Sequence, residues 1–166
     1  MAHGGPIGSL AITQIAIVVK DVRKTMELYY KNLGWGPWNV YEYGPPLLHD
    51  TVLRGSPTYY TMIGAEAHVE PVDVELIQPI DGPSIYQEWL DKHGEGVHHI
   101  ACMKVGSDAT ELRKQFDALG MKELMSGSIG ETIRYFYLDT EPTLKFILES
   151  GSGHAIDLTP TYVYPS

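Results

Sequence analysis

The stretch that decides the fold is residues 94–103, Gly-Glu-Gly-Val-His-His-Ile-Ala-Cys-Met. Its apolar run follows a glycine-rich turn and ends before the polar residues 106–108, which is the pattern of a β-strand. Neighbouring residues of a strand point to opposite faces of the sheet. The sequence therefore predicts that only one of His98 and His99 faces a cleft, and the start of the chain indicates which.

A second stretch near the N-terminus has the same layout. Residues 14–17, Gln-Ile-Ala-Ile, precede a helix pattern that ends at Leu33-Gly34, and residues 99–102, His-Ile-Ala-Cys, precede one that ends at Leu119-Gly120. Matching positions are 85 residues apart (14 to 99) and 86 residues apart (34 to 120). Three strand candidates follow each helix, so the chain reads as a βαβββ unit that occurs twice.

The sequence thus predicts an α+β fold in which two βαβββ modules form one curved mixed sheet with a central cleft. We expect a single domain over residues 1–166, with modules at about 10–80 and 95–150. A linker helix over residues 83–93 and an extended C-terminal tail over residues 151–166 complete the expected organisation. The 43% apolar content is ample for one buried core.

Turn residues set the expected strand limits inside each module. In the first module the strand candidates are residues 38–43, 58–63 and 68–78, with a loop over 44–57 and a turn at Gly64-Ala65. In the second module they are residues 121–125, 133–139 and 144–149, with turns at 126–130 and 140–142.

Composition excludes several classes of function. A formal charge of −9, spread along the chain, argues against binding to nucleic acid or to an anionic membrane. Cys102 is the only cysteine, so disulfides are excluded and a reducing compartment is expected. Residues 1–9 lack the features of a secretion signal, and no apolar run approaches the ~18 residues of a membrane span. We expect a cytoplasmic protein.

The register of the repeat selects His99 rather than His98, because His99 and Gln14 both directly precede Ile-Ala. The last strand of each module also holds one carboxylate, Glu75 or Glu149, in apolar surroundings where an unpaired charge would be costly. If the modules pack with pseudo-twofold symmetry, Gln14, Glu75, His99 and Glu149 converge in the cleft. This donor set suits one divalent metal ion, Zn²⁺, Ni²⁺, Co²⁺ or Mn²⁺.

Each of these residues also has a structural interpretation. Taken singly, Gln14 is a half-exposed polar residue and His99 a hydrogen-bonded structural group. Their equivalent places in the repeat favour the metal site. The remaining histidines have no repeat partner and are expected to be solvated or structural, with His49 as the main exception: His3, His49, His68, His93, His98 and His154.

Residues 10–150 resemble the vicinal oxygen chelate superfamily, also called the glyoxalase/bleomycin-resistance/dioxygenase fold. Residues 14–19, 74–79 and above all 94–101 are similar to methylmalonyl-CoA epimerases and their relatives. Epimerases usually carry His at the position of Gln14. The set Gln, Glu, His, Glu is instead similar to that of one group of glyoxalase I enzymes, although Ile-Gln-Pro replaces their Thr-His-Asn type sequence after Glu75.

The resemblance implies an isomerase, epimerase or lyase that abstracts a proton next to a metal-polarised carbonyl of a small carbonyl or thioester substrate. It implies that Glu149 is both ligand and base. Epimerisation needs a second acid or base, for which Glu42 or Tyr43 is the expected source. Glyoxalase I-type lactoylglutathione lyase activity is an alternative. Members of the superfamily often pair modules across a dimer, so a homodimer is expected.

Two other functions compete. A drug-sequestering protein would trap an aromatic ligand without metal, and aromatic residues keep this possibility open: Trp35, Trp38, Tyr41, Tyr43, Tyr59 and Tyr60. An extradiol-type dioxygenase would need two His and one carboxylate for Fe²⁺. Gln14 in place of the first His counts against a dioxygenase.

Overall fold

A computed structural model of the chain describes residues 5–153 and 158–166. The expectations for His3, for His154 and for the first four residues lie outside this range. In chain order the elements are β1 (Gln14–Val18), α1 (Val22–Leu33), β2 (Trp38–Tyr43), β3 (Leu48–Leu53), β4 (Ser56–Pro57), β5 (Thr61–Val69), β6 (Val72–Asp81), α2 (Ile85–His93), β7 (Gly96–Met103), α3 (Ala109–Ala118), β8 (Glu123–Ile129), β9 (Ile133–Leu138), α4 (Glu141–Leu144), β10 (Ile147–Ser152) and β11 (Tyr162–Tyr164).

These strands form one sheet in the order β11-β2-β5-β6-β1-β7-β10-β9-β8-β3-β4. At its centre β1 and β7 pair antiparallel, while β1–β6 and β7–β10 pair in parallel. The order β2-β5-β6-β1 on one side mirrors β8-β9-β10-β7 on the other, as a duplicated unit related by a pseudo-twofold axis would give. The predicted α+β class with a mixed sheet is confirmed.

A short connection shows how strongly the sheet curves. β2 ends at Tyr43 and β3 begins at Leu48, yet β3 pairs with β8 on the far side of the sheet. Five residues reach about 18 Å when fully extended. In a flat sheet the eight strand spacings between β2 and β3 would span about 38 Å. The sheet must therefore curl until its two sides approach each other, which produces the central cleft.

Apolar side chains cover both faces of this curved sheet. Helix α1 packs its buried Val22 and Met26 against the outer face of the first module. Helix α3 does the same for the second module through Leu112 and Phe116. Aspartates cap both helices, since Asp21 and Asp108 accept hydrogen bonds from backbone N–H groups of the first turn. The concave face holds the third core, which surrounds the cleft.

The predicted turn at Gly64-Ala65 is wrong, because both residues lie inside β5 and the chain turns after Val69 instead. Gly64 is needed inside the strand: a Cβ there would come within 2.7 Å of the Tyr43 ring, which lies over it. Glycine is therefore required at this position by the close packing of the Tyr43 side chain and not by a turn.

The observed limits of several other strands and turns also differ from those that the sequence predicted. The predicted loop over residues 44–57 contains the hairpin β3–β4, and the predicted turn at 126–130 falls mostly within β8. Residues 140–142 belong to the start of α4 rather than to a turn between strands. The end of the expected tail adds β11 to the edge of β2. In the part of the chain that the structure describes, we find no helix that is both long and apolar enough to cross a membrane.

Candidate active site

A β-bulge in β7 brings both adjacent histidines to one place. Ala16 pairs with His99 and Ile17 pairs with Val97, so β7 has an extra residue, His98, at this point. The Nδ1 atoms of His98 and His99 lie 2.8 Å apart and both side chains are buried. The expectation that the two rings point to opposite faces is wrong, because the bulge breaks the alternation of the strand.

His99 faces the carboxylates from both modules that the sequence predicted. Its Nε2 atom lies 2.9 Å from Oε2 of Glu149 and 3.8 Å from Oε2 of Glu75. The strand register explains this approach, since Glu75 and His99 both pair with Ala16 from opposite sides of β1. Ala16 is fully buried and short, so it leaves room for the longer side chains beside it.

Gln14 lines the same cleft as the two glutamates. It pairs with Ala101 of β7, and Glu149 pairs with Ala101 from the other side. Gln14, Glu75, His99 and Glu149 thus surround a pair of buried alanines at the junction of the modules. The cleft encloses about 660 Å³, a volume that includes its open mouth.

The donor atoms of these four residues are of the types that bind divalent metal ions. Two of them have no hydrogen-bond partner. Nε2 of His99 and Oε2 of Glu149 are buried and make no hydrogen bond of regular geometry. Imidazole nitrogen and carboxylate oxygen are common ligands of Zn²⁺ and related ions. As the side chains stand, however, no three His, Cys, Asp or Glu residues within 5–153 and 158–166 are arranged closely enough to hold an ion.

Burial controls the protonation of the carboxylates in the cleft. Burial raises the pKa of Glu75 well above its ordinary value, and the charges of Glu66 and Glu149 add to this effect. Burial also raises the pKa of Glu66 to about 7, with further contributions from Asp73 and Glu149, while a hydrogen bond from Tyr43 lowers it. Both groups therefore take up a proton far more readily than a carboxylate in water.

Glu66 is a cleft residue that the sequence reasoning missed. It lies on β5, where its backbone pairs with Glu75, and its Oε1 atom is 3.4 Å from the Tyr43 hydroxyl. Of the two residues expected to supply a second acid or base, Tyr43 lines the cleft, whereas Glu42 is exposed and is not among the lining residues. Once the limits of β5 are known, Glu66 falls on the inward face with Gly64.

Tyrosines form much of the remaining wall. The hydroxyls of Tyr86 and Tyr137 lie 2.6 Å apart, and those of Tyr60 and Tyr135 are also hydrogen-bonded to each other. Burial raises the pKa of each of these phenols well above 10, so they stay neutral. Tyr86, Tyr135 and Tyr137 line the cleft and present aromatic surface to whatever enters it, while Tyr60 supports them from behind through Tyr135.

No described histidine lines the cleft directly, although His99 contacts two of the glutamates that do. His49, the expected exception, lies 2.8 Å from Asp50 Oδ2 and 2.9 Å from the Gly130 carbonyl. His68 is exposed and contacts Asp73 and Glu70. Of the described histidines, His98 and His99 are buried, and His99 is the one that contacts carboxylates of the cleft.

The sequence also matches a family model. Residues 13–137 match the model described as the Glyoxalase/Bleomycin resistance protein/Dioxygenase superfamily. The match covers most of the chain, and the chain belongs to this superfamily. The resemblance of residues 10–150 to this superfamily is thereby confirmed. No curated protein sequence matches the chain.

Solved structures with the same fold include several epimerases. A hypothetical protein from Bacillus halodurans superposes with a TM-score of 0.64 at 16% identity, covering 88% of this chain and 96% of its own. Methylmalonyl-CoA epimerase from Mycobacterium tuberculosis gives 0.60 at 17% identity, covering 90% and 96%. A Streptomyces coelicolor methylmalonyl-CoA epimerase variant in complex with 2-nitronate-propionyl-CoA gives 0.56 at 22% identity, covering 89% and 97%. At these identities the likeness concerns the fold.

Proposed function

We propose that this protein is a divalent-metal-dependent isomerase, epimerase or lyase that abstracts a proton next to a carbonyl group. The observation that carries the proposal is the buried meeting of His99 and Glu149 at 2.9 Å, each with an atom that lacks a hydrogen-bond partner. Membership of the superfamily and the fold shared with methylmalonyl-CoA epimerases support it. A homodimer and a cytoplasmic location stay predictions.

Gln14, Glu75, His99 and Glu149 would hold the ion. When bound, a divalent ion polarises a substrate carbonyl and stabilises the negative charge that develops on its oxygen. Glu149 is the proposed base, because its carboxylate lies at the cleft wall beside the other donors. It removes the proton from the adjacent carbon while the electron pair of the C–H bond moves toward the carbonyl.

Glu66 is the proposed second proton-transfer group, in place of Glu42. The strands β5, β6, β1, β7 and β10 are consecutive, so Glu66 and Glu149 lie on the outer two while the other donors lie between them. Both carboxyl groups line the cleft, and the charge of Glu149 is close enough to raise the pKa of Glu66. A carbon held between them can lose a proton on one face and gain one on the other.

Tyr43 is the proposed support of Glu66. The phenol donates a hydrogen bond to the Glu66 carboxyl group, and Tyr41 stacks against its ring at 5.6 Å. With a pKa near 7, Glu66 is available in both protonated and ionised forms at neutral pH. In one turnover Glu66 gives a proton to carbon and Glu149 takes one up. Proton exchange with solvent then returns both carboxyl groups to their starting protonation states.

The cleft lining favours an uncharged reacting group. Four carboxyl groups line it, from Glu66, Asp73, Glu75 and Glu149, and no Lys or Arg does so among the described residues. A free carboxylate on the substrate would meet no cationic side chain there. A small neutral carbonyl compound or the acyl end of a thioester fits this environment better than a dianion.

Glyoxalase I-type chemistry is the second candidate, favoured by Gln14 at the first donor position. If Glu149 alone moves the proton, Glu66 is dispensable, which separates this candidate from an epimerase. A metal-free binding protein is the third candidate, and the tyrosine-rich wall favours it. Such a protein would hold an aromatic ligand without exchanging any proton of that ligand.

The test is α-proton exchange in D₂O, followed by ¹H NMR with 2-substituted thioesters and hemithioacetals after loading with Zn²⁺, Ni²⁺, Co²⁺ or Mn²⁺. We expect exchange that Glu149→Gln abolishes and that chelation stops. Glu66→Gln should block inversion of configuration, while Glu42→Gln, a matched change on the exposed side of β2, should leave it intact. Metal uptake without exchange on any probe, or equal loss in Glu42→Gln, would contradict the proposed chemistry.

A further inference from the structure

The cleft is closed at one end of the sheet and opens at the other. At the closed end the buried Tyr86 of α2 packs against Tyr60 and Tyr137. Strands β1 and β6 begin at the opposite edge, where β7 and β10 end. Four partly exposed lining residues lie within one residue of these strand ends and form what we call the mouth: Thr13, Asp73, Met103 and Gly153.

The mouth carries negative charge. Asp73 is its charged residue, and the exposed His68 beside it contacts both Asp73 and Glu70. One imidazole between two carboxylates cannot make this region positive, even when the ring is protonated. A ligand whose anionic part stays outside the cleft would therefore be repelled by the side chains that it passes.

The interior behind the mouth is apolar and aromatic on the side away from the metal donors. Met62, Ile129 and Ile133 line it and are buried. The hydroxyls of Tyr135 and Tyr137 are already hydrogen-bonded to other tyrosines, so these side chains offer mainly ring surface. Aromatic rings gain extra attraction from edge or offset contacts with other rings. This wall therefore suits an aromatic group.

The polar end of a ligand has one place in the same interior. Glu149 lines it, and its buried Oε2 atom lacks a hydrogen-bond partner. A bound divalent ion would offset the charges of Glu75 and Glu149 but add no excess positive charge to the cleft, since Glu66 and Asp73 also line it. The volume of about 660 Å³, mouth included, lies in the range of pockets that enclose a whole small molecule.

We propose that the substrate is an uncharged carbonyl compound with an aromatic substituent beside the reacting carbon, and that it is not carried on an anionic group such as coenzyme A or glutathione. The inference rests on the proposed function in calling this ligand a substrate. The carbonyl lies at the donors, and the ring packs against the wall of Tyr135, Ile129 and Ile133.

The test compares three thioesters as ligands of the Zn²⁺-loaded protein by titration calorimetry. 2-Phenylpropionyl-pantetheine is neutral, 2-phenylpropionyl-coenzyme A adds the anionic nucleotide, and propionyl-pantetheine lacks the ring. We expect propionyl-pantetheine to bind at least about 10-fold more weakly, because it buries no ring. The coenzyme A ester should also bind about 10-fold more weakly at about 0.01 M salt, and this difference should shrink at about 0.15 M, where repulsion is screened.

A charge reversal at the mouth tests the cause of the discrimination. Asp73→Lys should raise the affinity for the coenzyme A ester relative to that for the neutral ester by about 10-fold at low salt. Glu42→Lys makes the same change in net charge on the exposed side of β2 and should leave this ratio as in the wild type.

The wild type alone can overturn the inference. It is overturned by tighter binding of the coenzyme A ester than of the neutral ester, by equal binding with and without the ring, or by no binding of the neutral ester. Faster α-proton exchange on the coenzyme A ester would also overturn it and leave the proposed function standing. Preferred binding of 2-phenylpropionyl-pantetheine without exchange of its α-proton would overturn the proposed function and leave the ligand class standing.

Discussion

Glu149 and Glu75 approach the same imidazole nitrogen from the two modules, at 2.9 and 3.8 Å. Each carboxylate is almost fully buried, and the positive charge of a bound ion would offset the repulsion between them. At the scale of single residues, binding of the ion is therefore coupled to the protonation state of the two carboxylates. Substitutions of the cleft glutamates should therefore distinguish residues that hold the ion from residues that transfer protons.

Glu149→Gln should lower the affinity for Zn²⁺ by at least about 10-fold, because an amide oxygen replaces a charged ligand. Titration calorimetry on the wild type and the variant measures this change. Glu66→Gln is the control, since Glu66 is proposed to move protons and not to hold the ion. A larger loss of affinity in Glu66→Gln than in Glu149→Gln would reverse these assignments.

Glu66 should also make the stability of the metal-free protein depend on pH. Its pKa rises from 4.5 to about 7 on folding, so the native state binds more protons than the unfolded state between these values. The free energy of unfolding should fall as the pH rises through that window, by up to about 3 kcal/mol from this residue. Glu66→Gln should remove that part of the fall.

Urea unfolding of chelator-treated protein at several pH values between 4.5 and 7.5 measures this effect. Glu42→Gln serves as the control, because Glu42 is exposed and on the other side of β2. An identical pH profile for the wild type and Glu66→Gln would contradict the buried position of the Glu66 carboxyl group.

The equivalence of Gln14 and His99 in the two modules could be predicted from the sequence, because the repeat keeps both residues before Ile-Ala. The contact of His98 with His99 could not be predicted, since a bulge depends on how β7 fits against β1 and leaves no mark in the apolar pattern. Glu66 was missed for a related reason. Glycine is typical of turns, so the sequence predicted a turn at Gly64. That turn would end the strand that in fact continues through Glu66.

At the scale of elements, the fit of β2 on β5 holds the second proton-transfer group in place. The Tyr43 ring lies over Gly64, where a Cβ would approach its Cε2 atom to 2.7 Å. The same tyrosine reaches Glu66 through its hydroxyl. The absence of a side chain at one position of β5 therefore allows a hydrogen bond at another.

Gly64→Ala should destabilise the protein by about 1–3 kcal/mol, because overpacking outweighs the gain of an alanine in a strand. Chemical denaturation of the two proteins measures the difference. Gly5→Ala, where an added Cβ meets nothing within 4 Å, should be close to neutral. An increase in stability for Gly64→Ala would show that Tyr43 does not lie over this position.

At the scale of the whole molecule, the sheet ties the two modules together in two places. β1 and β7 pair at the centre, and β3 from the first half of the chain pairs with β8 from the second half. The sequence predicted one sheet built from both modules, but not which strands join at its centre. The pairing of β3 with β8 was not predicted, because β3 lies in a stretch rich in Gly and Pro that resembles a loop.

These two contacts predict that the modules unfold together. Loss of far-ultraviolet circular dichroism, which follows the strands, should coincide in urea with loss of the near-ultraviolet signal from the tyrosines of the cleft. Two separate transitions would show that one module keeps its fold without the other. Such a result would contradict a cleft built jointly from both modules.

The most direct test of the central claim is the metal content of protein purified without chelator, measured by elemental analysis beside His99→Ala. The proposed site predicts about one transition-metal ion per chain in the wild type and none in the variant. A wild type without metal that also fails to take up Zn²⁺, Ni²⁺, Co²⁺ or Mn²⁺ would contradict the metal-dependent mechanism and favour a metal-free binding protein.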